Sequence, residues 1–359
     1  MKYSIIVPVY NRPDEVDELL ESLCSQTLKN FEVIIVEDGS QKPCKDVCDK
    51  YASILDLHYY YKENSGPGQS RNYGAERANG EWLIVLDSDV VLPKYYLRNV
   101  ENGMRNEDAF GGPDASHPSF TPIQKAISYS MTSFFTTGGI RGGKGKKLDK
   151  FFPRSYNMGI RREVYQELGG FTKMRFGEDI DFSYRIIEAG YKTALIPEAW
   201  VWHKRRTDFR KFFRQVRNSG IARINLKLLH PGSMKFVHKL PALFTLGCIG
   251  LLIFFVTGLV LAIMGLSTLT AEGCNMGLIV VYFGCFLMLA SLLPLLLYSL
   301  LIFIDSSIRN RSIHVGLLSI PASFIQLLGY GTGFLSAFWK RLVLKRRDEG
   351  FDSNEQLYK

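Results

Sequence analysis

The segment Glu81–Asp89, EWLIVLDSD, has an apolar run, Trp82–Leu86, that is followed directly by Asp87-Ser88-Asp89. A short apolar run that ends in acidic residues is typical of a buried strand that brings side chains to the ligand-binding edge of an α/β sheet. Two aspartates one residue apart can hold a divalent cation through their carboxylate oxygens. Because this D-x-D pattern is short and common, a solvated strand end followed by a turn explains it equally well.

Strand and helix patterns alternate around this segment. Apolar β-branched runs predict strands at 4–7, 31–36, 57–61 and 82–86, and helices are predicted after Pro13, at 45–51 and at 69–78. This alternation predicts an α/β fold with a mainly parallel, Rossmann-like sheet and helices on both faces. The polar ends of the second and fourth strands, Glu37-Asp38 and Asp87-Ser88-Asp89, are then expected at one edge of the sheet.

Two acidic residues begin a later predicted helix. Glu178 and Asp179 follow Gly177, and Gly190 ends the same helical segment. The helix dipole favours carboxylates in the first turn, so N-terminal capping is the simplest explanation for one acid. Capping explains two acids less well, which leaves a functional role open.

The segment 111–150 is rich in glycine and contains a near match to a phosphate-binding P-loop in Gly138, Gly143 and Lys144. Gly145 stands where Ser or Thr must bind magnesium, so we interpret the segment as a mobile basic loop over a substrate cleft.

The six cysteines have neither the spacing of a zinc site nor a disulfide framework.

Positive charge is concentrated immediately before the apolar part of the chain. The net charge is +9, yet residues 204–239 alone contain eleven Lys or Arg and one acid. This segment has an aromatic face, with Phe209, Phe212, Phe213 and Val216, and predicts an amphipathic helix in the membrane interface, aromatic side toward lipid. Packing of that face on the soluble domain is the alternative. A basic block beside a membrane span indicates contact with membrane lipids in the cytoplasmic leaflet rather than with nucleic acid.

Residues 240–338 are almost uncharged and predict membrane spans at about 241–266, 277–304 and 315–338, since a span requires about 20 apolar residues. The third segment is interrupted by Pro321, Gln326, Gly329, Gly331 and Gly333. A full crossing would place the basic residues after 338 outside, against the positive-inside rule. The segment is therefore either a third span, which we favour, or a re-entrant one.

Seven short motifs occur in order along the first half of the chain: Ser4–Asn11 (SIIVPVYN), Glu37–Ser40 (EDGS), Gly68–Asn72 (GQSRN), Asp87–Asp89 (DSD), Asn157–Gly159 (NMG), Gly169–Phe171 (GGF) and Gly177–Asp179 (GED). As an ordered set they resemble family 2 of the inverting glycosyltransferases, which use the A-type nucleotide-sugar fold. The resemblance implies a catalytic domain at 1–203, followed by a basic interfacial segment at 204–239, a transmembrane region at 240–338 and a polar, basic tail at 339–359.

The resemblance also implies roles in donor binding. Pro8, Tyr10 and Asp38 would hold the nucleotide base, with Asp38 accepting a hydrogen bond from an imide N–H of uracil. Arg71 would contact the ribose and phosphates from the start of its helix, whose N-terminus suits anions. Asp87 would contact the ribose or a metal ion.

The metal and the base follow from the same resemblance. Asp89 would bind Mg²⁺ or Mn²⁺ bridging the diphosphate, with Asp87 and His203 as further candidate ligands. Asp179, beside Glu178, would be the general base that takes the proton from the acceptor hydroxyl.

The expected function is that of a metal-dependent, inverting hexosyltransferase in the cytoplasmic (inner) membrane, multi-pass and with its catalytic domain facing the cytoplasm. It would move one sugar from a nucleotide-sugar donor, a UDP-sugar by preference, to a lipid-linked or glycan acceptor in cell-envelope polysaccharide assembly. The Gln-x-x-Arg-Trp motif of processive synthases is missing at Gln215. A polyprenol-phosphate sugar synthase and a non-enzymatic nucleotide-sugar-binding membrane scaffold are the alternatives.

Overall fold

The computed structural model of the chain describes residues 2–115, 117, 119–138, 151–272 and 275–345. The near match to a P-loop falls largely in 139–150, outside the described residues.

An α/β domain forms the first part of the chain. Its strands are β1 (Tyr3–Val9), β2 (Phe31–Asp38), β3 (Leu57–Lys62), β4 (Trp82–Leu86), β5 (Val90–Val91), β6 (Ala109–Gly111), β7 (Asp114–Ala115), β8 (Asn157–Arg161), β9 (Thr193–Leu195) and β10 (Val201–His203). Its helices are α1 (Pro13–Cys24), α2 (Lys45–Tyr51), α3 (Pro67–Ala75), α4 (Tyr96–Gly103), α5 (Pro122–Thr132), α6 (Phe134–Thr137), α7 (Arg162–Glu167), α8 (Glu178–Glu188) and α9 (Phe209–Leu229). The helix predicted at 69–78 begins earlier, at Pro67, because proline is favoured at the first helical position.

The main sheet has seven strands in the order β3-β2-β1-β4-β8-β6-β9. Strand β8 is antiparallel to its neighbours β4 and β6, and the other pairs are parallel, which confirms the predicted mainly parallel sheet. Strand β1 lies between β2 and β4, so Asp38 at the end of β2 and Asp87 after β4 reach the same edge. A smaller sheet, β5-β10-β7, pairs His203 with Val90, next to Asp89.

The two faces of the main sheet pack on different helices. Ile5 and Val7 of β1 belong to a buried cluster with Leu19 of α1, whereas Ile6 belongs to a second cluster with Phe182 of α8. This alternation follows from the two-residue period of a strand. Both faces are therefore covered, as the almost continuous apolar character of β1, β2 and β4 requires.

Three long helices follow the α/β domain: α10 (Leu240–Glu272), α11 (Asn275–Asn310) and α12 (Ile313–Phe338). All three are long and apolar enough to cross a membrane. Helices α10 and α11 form a hairpin in which Gly258 meets Gly284 and Gly265 meets Gly277 at backbone distance. Helix α12 is continuous, although Pro321 lies inside it.

The apolar face of α9 packs on protein, which corrects the prediction that its aromatic side faces lipid. Phe212 and Val216 are buried in a cluster with Ile127 of α5 and the partly buried Ile325 of α12. Glycine allows close approach, since a Cβ on Gly220 would lie 2.1 Å from the carbonyl oxygen of Tyr330. The face is covered because α12 offers it an apolar partner that the sequence of α9 alone does not reveal.

This contact gives a test of the packing. Replacing Gly220 by valine would force the backbones of α9 and α12 apart, and overpacking of this kind costs about 1–3 kcal/mol. We expect Gly220→Val to lower the apparent Tm of the full chain in detergent. Gly250→Val is the matched control, because nothing lies within 4 Å of a Cβ at that position of α10. Equal melting of the two variants would contradict the packing.

Candidate active site

A cavity of about 790 Å³ lies between the carboxyl edge of the main sheet and the helices α9, α10 and α12. Its wall includes the predicted site residues Pro8, Tyr10, Asp38, Arg71, Asp87, Asp89, Glu178 and Asp179. The opposite side is formed by Gln326 and Tyr330 of α12 and by Leu240 and Pro241 at the start of α10. The acidic strand edge and the apolar helices therefore share one cavity.

The three predicted metal ligands lie together. Ligand atoms of Asp87, Asp89 and His203 are within 4.8 Å of one another, because the β5–β10 pairing brings His203 beside Asp89. The Nε2 atom of His203 is 3.2 Å from Asp89 Oδ1, and Arg12 Nη1 is 2.5 Å from Asp89 Oδ2. Two carboxylates and an imidazole suit a cation such as Mn²⁺, so the residues fit the ion that the resemblance implies.

Charged neighbours shift the pKa values of Asp89 and His203 in this cluster. Burial works against ionisation of Asp89, but His203 and Arg12 outweigh it and hold the pKa of this carboxyl well below its usual value. Burial alone would lower the pKa of His203, yet Asp89 outweighs it and raises the pKa to about 9. A metal ion would therefore compete with a proton on His203 and with the guanidinium of Arg12.

Arg71 joins two of the acidic motifs. Its Nη2 donates to Asp87 Oδ1 at 2.8 Å and its Nη1 to Glu178 Oε1 at 3.0 Å, and the residue is 3 % exposed. The arginine is the fifth residue of α3, because the helix begins at Pro67 rather than at the predicted Gln69, and it is held between these carboxylates. Its contact with the ribose and phosphates stays a prediction. Burial raises the pKa of Glu178 to about 7 against the opposing charge of Arg71.

Asp179 is paired with a different arginine. Arg154 Nε donates to Asp179 Oδ2 at 2.6 Å. Burial works against ionisation of Asp179, but Arg154 outweighs it and lowers the pKa of the carboxyl. Gly177 occupies the N-cap position with a φ of 85°, and no side chain caps the helix. Both side chains bind arginines, and Asp179 Oδ1 also accepts a hydrogen bond of 2.9 Å from Ile180 N in the first turn. Capping therefore explains part of the role of Asp179, and the contacts with Arg71 and Arg154 go beyond it.

Asp38 organises the loop before α3. Its Oδ1 accepts hydrogen bonds from Ser65 N at 2.9 Å and Lys62 Nζ at 2.6 Å, and its Oδ2 accepts one from Gly66 N at 2.9 Å. A carboxylate has about four acceptor positions, so these donors leave little capacity. Contact between Asp38 and a nucleotide base stays a prediction.

Some residues that hold the acids were not singled out in the sequence. Arg12 lies 77 positions from Asp89, and Arg154 lies 25 positions from Asp179. His230 ends α9 and lies 2.9 Å from Asp181 and 3.0 Å from Glu188, both on α8. No periodic pattern links positions so far apart, so only the fold reveals these pairs.

The wall that α9 contributes is cationic. Lys211, Arg214 and Arg223 of α9 all line the cavity. His238 lies on the same wall, and burial together with Arg223 and Lys235 lowers its pKa to about 4. This side of the cavity suits an anionic ligand.

Comparison with known proteins identifies the α/β domain. Residues 4–169 match the family model described as Glycosyl transferase family 2. Residues 4–169 therefore form a glycosyltransferase family 2 domain. A mannosyltransferase from Pyrobaculum calidifontis, solved in complex with GDP-mannose and Mn²⁺, has the same fold, with a TM-score of 0.52 and 16 % identity over 93 % of this chain and 87 % of that one.

Two curated relatives match shorter stretches. An uncharacterized glycosyltransferase of Rickettsia felis is 34 % identical over 141 residues, which are 39 % of this chain and 23 % of that protein. The poly(ribitol-phosphate) β-N-acetylglucosaminyltransferase TarS of Staphylococcus aureus is 37 % identical over 103 residues, 28 % of this chain and 18 % of TarS. The chain thus spans less than a third of the length of these relatives.

The contacts of Arg71 with Asp87 and Glu178 predict a large effect on stability. Arg71→Met would leave Glu178, which is 8 % exposed, without its partner. Removing one member of a buried pair costs about 3–5 kcal/mol. We therefore expect a clear loss in the free energy of unfolding, measured by denaturant titration in detergent. Arg98→Met is the control, since Arg98 is exposed on α4. A loss no larger than that of the control would contradict the bridging role.

Proposed function

We propose that this glycosyltransferase is a membrane-bound, metal-dependent, inverting enzyme that moves one sugar from a nucleotide-sugar donor to a lipid-linked acceptor in cell-envelope glycan assembly. The observation that carries the proposal is the single cavity that reaches from Asp87 and Asp89 to Gln326 and Tyr330 of an apolar helix. An enzyme with a water-soluble acceptor has no need of apolar helices in the wall of its active site.

The donor would lie along the edge of the sheet, a UDP-sugar being the first candidate. Its base would lie near Pro8, Tyr10 and Asp38, and its diphosphate near Asp87 and Asp89. The complex of the Pyrobaculum mannosyltransferase with GDP-mannose and Mn²⁺ supports a nucleotide-sugar donor and a divalent cation for this fold. Bound by Asp87, Asp89 and His203, Mg²⁺ or Mn²⁺ would neutralise charge that develops on the leaving nucleoside diphosphate.

Asp179 would take the proton from the acceptor hydroxyl. Its lowered pKa keeps the carboxylate free of a proton at neutral pH, and Arg154 fixes the orientation of the carboxylate. A base on the side of the sugar opposite the diphosphate gives inversion at the anomeric carbon. Glu178, held by Arg71, would keep the first turn of α8 at the edge of the sheet.

The membrane placement follows from charge and hydropathy. Helices α10 and α11 would cross the cytoplasmic membrane, and the basic segment 204–239 would keep the catalytic domain in the cytoplasm. The donor would then be reached from the cytosol and the acceptor from the bilayer.

A polyprenol-phosphate sugar synthase is the second candidate, and two observations favour it. The cationic wall of α9 faces the same cavity as the acids, and pairing with Arg154 makes Asp179 a weaker base. An ionised phosphate acceptor needs a base far less than a hydroxyl does. Both candidates share the donor site and differ in the nucleophile.

The donor site can be tested by release of nucleoside diphosphate. The full chain in nanodiscs would be incubated with a panel of nucleotide sugars and Mn²⁺. With the sugar that turns over, we expect Asp89→Asn to lower the rate about 100-fold, because charge on the leaving group loses its stabilisation. Asp46→Asn, at an exposed position of α2, should match the parent. Parental turnover by a folded Asp89→Asn variant, or in excess chelator, would contradict the proposal.

Asp179→Asn separates the two candidates. With a lipid-linked sugar hydroxyl as acceptor, loss of a general base lowers the rate by about 10²–10⁴-fold. With an isoprenyl phosphate as acceptor, the same variant would keep most of its activity if the enzyme is a sugar-phosphate synthase. A parent that prefers the sugar hydroxyl together with a variant that loses activity selects the first candidate. A parent that prefers the isoprenyl phosphate together with a variant that keeps most of its activity selects the synthase.

A further inference from the structure

Helices α9 and α12 run side by side in the same direction. Along α9, Val216, Gly220 and Ile224 meet residues progressively later in α12, from Gly329 through Tyr330 to Ala337. Phe209, at the start of α9, packs near Ile325 and Leu318. The shared length from Phe209 to Ile224 is about 22 Å at 1.5 Å per residue. Helix α12 therefore lies at the same depth as α9 over most of its length.

Helix α9 cannot enter the hydrocarbon. Helix α9 carries Lys211, Arg214 and Arg223, and these residues line the cavity that holds the acidic strand edge. Charged side chains are strongly disfavoured in the bilayer core, where no water solvates them. A helix that pairs lengthwise with α9 must lie at the surface of the membrane with it.

The contacts with the α10–α11 hairpin agree. Gly331 lies against Pro241 and Thr245 in the first turns of α10, and Gly316 lies against Ser307 near the end of α11. The ring contacts of Phe324, with Phe244 and Tyr298, also lie at this end of the hairpin. A third span would pack along the hairpin, whereas these described contacts all fall at its domain-proximal end.

Both ends of α12 also contact helices of the α/β domain, α5 near the start of α12 and α9 near its end. Val315 and Ala322 pack on Ala126 of α5, and Ala337 belongs to a cluster with Ile224 of α9. A straight helix of 26 residues is about 39 Å long, so it cannot leave this side of the membrane and return.

We infer that α12 does not cross the bilayer but lies along its cytoplasmic surface, with its exposed apolar residues in the boundary between headgroups and acyl chains. These residues include Leu317 and Phe338, and Trp339 follows directly after the helix. The inference goes beyond the proposed function and rests on its membrane placement. It differs from the expectation of a third span, which α12 is long and apolar enough to form.

The charge distribution then obeys the positive-inside rule. Arg309 and Arg311 precede α12, and Lys340, Arg341 and Lys345 follow it, so all five fall on the cytoplasmic side with the segment 204–239. Gln326 and Tyr330 reach the cavity from headgroup depth. An acceptor lipid can therefore present its polar end to the active site without leaving its leaflet.

Depth measurements test this arrangement. Spin labels would be attached to the full chain in nanodiscs after Leu317→Cys, Leu328→Cys and Trp339→Cys, with the native cysteines replaced by serine. Comparison of collisions with oxygen and with a water-soluble nickel chelate gives the depth of each label. We expect the three depths to agree within about one helical turn, about 5 Å. A label at Leu328 that lies far deeper than the labels at both ends would overturn the inference.

Labels at Leu243→Cys and Phe254→Cys on α10 are the matched control. Both positions are exposed on a helix that we place across the bilayer, and they are about 16 Å apart along its axis. Phe254 should be much deeper than Leu243. If neither control label reaches the acyl chains, the membrane placement itself fails, and this result differs from failure of the α12 arrangement alone.

The side on which the end of the chain lies gives a second arm. Green fluorescent protein or alkaline phosphatase would be fused after Lys359 of the full chain in a bacterial host. We expect a fluorescent, phosphatase-inactive pair of fusions, because the residues after α12 stay in the cytoplasm. An active phosphatase fusion together with a dark fluorescent fusion would overturn the inference.

Discussion

The contact between α9 and α12 ties the acidic strand edge to the apolar helices. The backbones of the two helices approach closely because glycines lie at the contact. A Cβ on Gly220 would be 2.1 Å, and a Cβ on Gly333 2.0 Å, from a carbonyl oxygen of the other helix. With its apolar face covered in this way, α9 turns a cationic face to the cavity. The candidate active site thus has an acidic wall at the strand edge and a basic wall beside the apolar helices.

The acidic wall is stable because its buried carboxylates are paired. Arg12 binds Asp89, Arg71 binds Asp87 and Glu178, and Arg154 binds Asp179. A buried unpaired charge would be costly, so these arginines allow acids to be concentrated at one sheet edge. In the proposed reaction the same pairs are rearranged, since a cation and a diphosphate bring their own opposite charges. The arginines then become free to contact the phosphates, which is where the resemblance expects Arg71.

Local sequence determined more of the fold than of the site. Strands β1 to β4 and helix α2 follow from runs and periods of neighbouring residues. The motifs that contain Asp38 and Asp87 meet because β2 and β4 are parallel to β1 and open at one edge, and Asp179 at the start of α8 lines the same cavity. The pairs that hold these acids, such as Arg154 with Asp179, join residues that no local pattern relates. The covered face of α9 was missed for the same reason, because its partner α12 lies about 100 residues later and resembles a span by composition.

We propose that one cavity serves both the donor and an acceptor that arrives from the bilayer. Photo-crosslinking tests it most directly, with a benzophenone-tagged isoprenyl phosphate, the full chain in nanodiscs and peptide mapping of the labelled sites. We expect labels on the cavity side of α9 and at Gln326 or Tyr330 of α12. An untagged isoprenyl phosphate should reduce the yield of these labels. Labels confined to the outer surface of α10 and α11, such as Phe254, would contradict it.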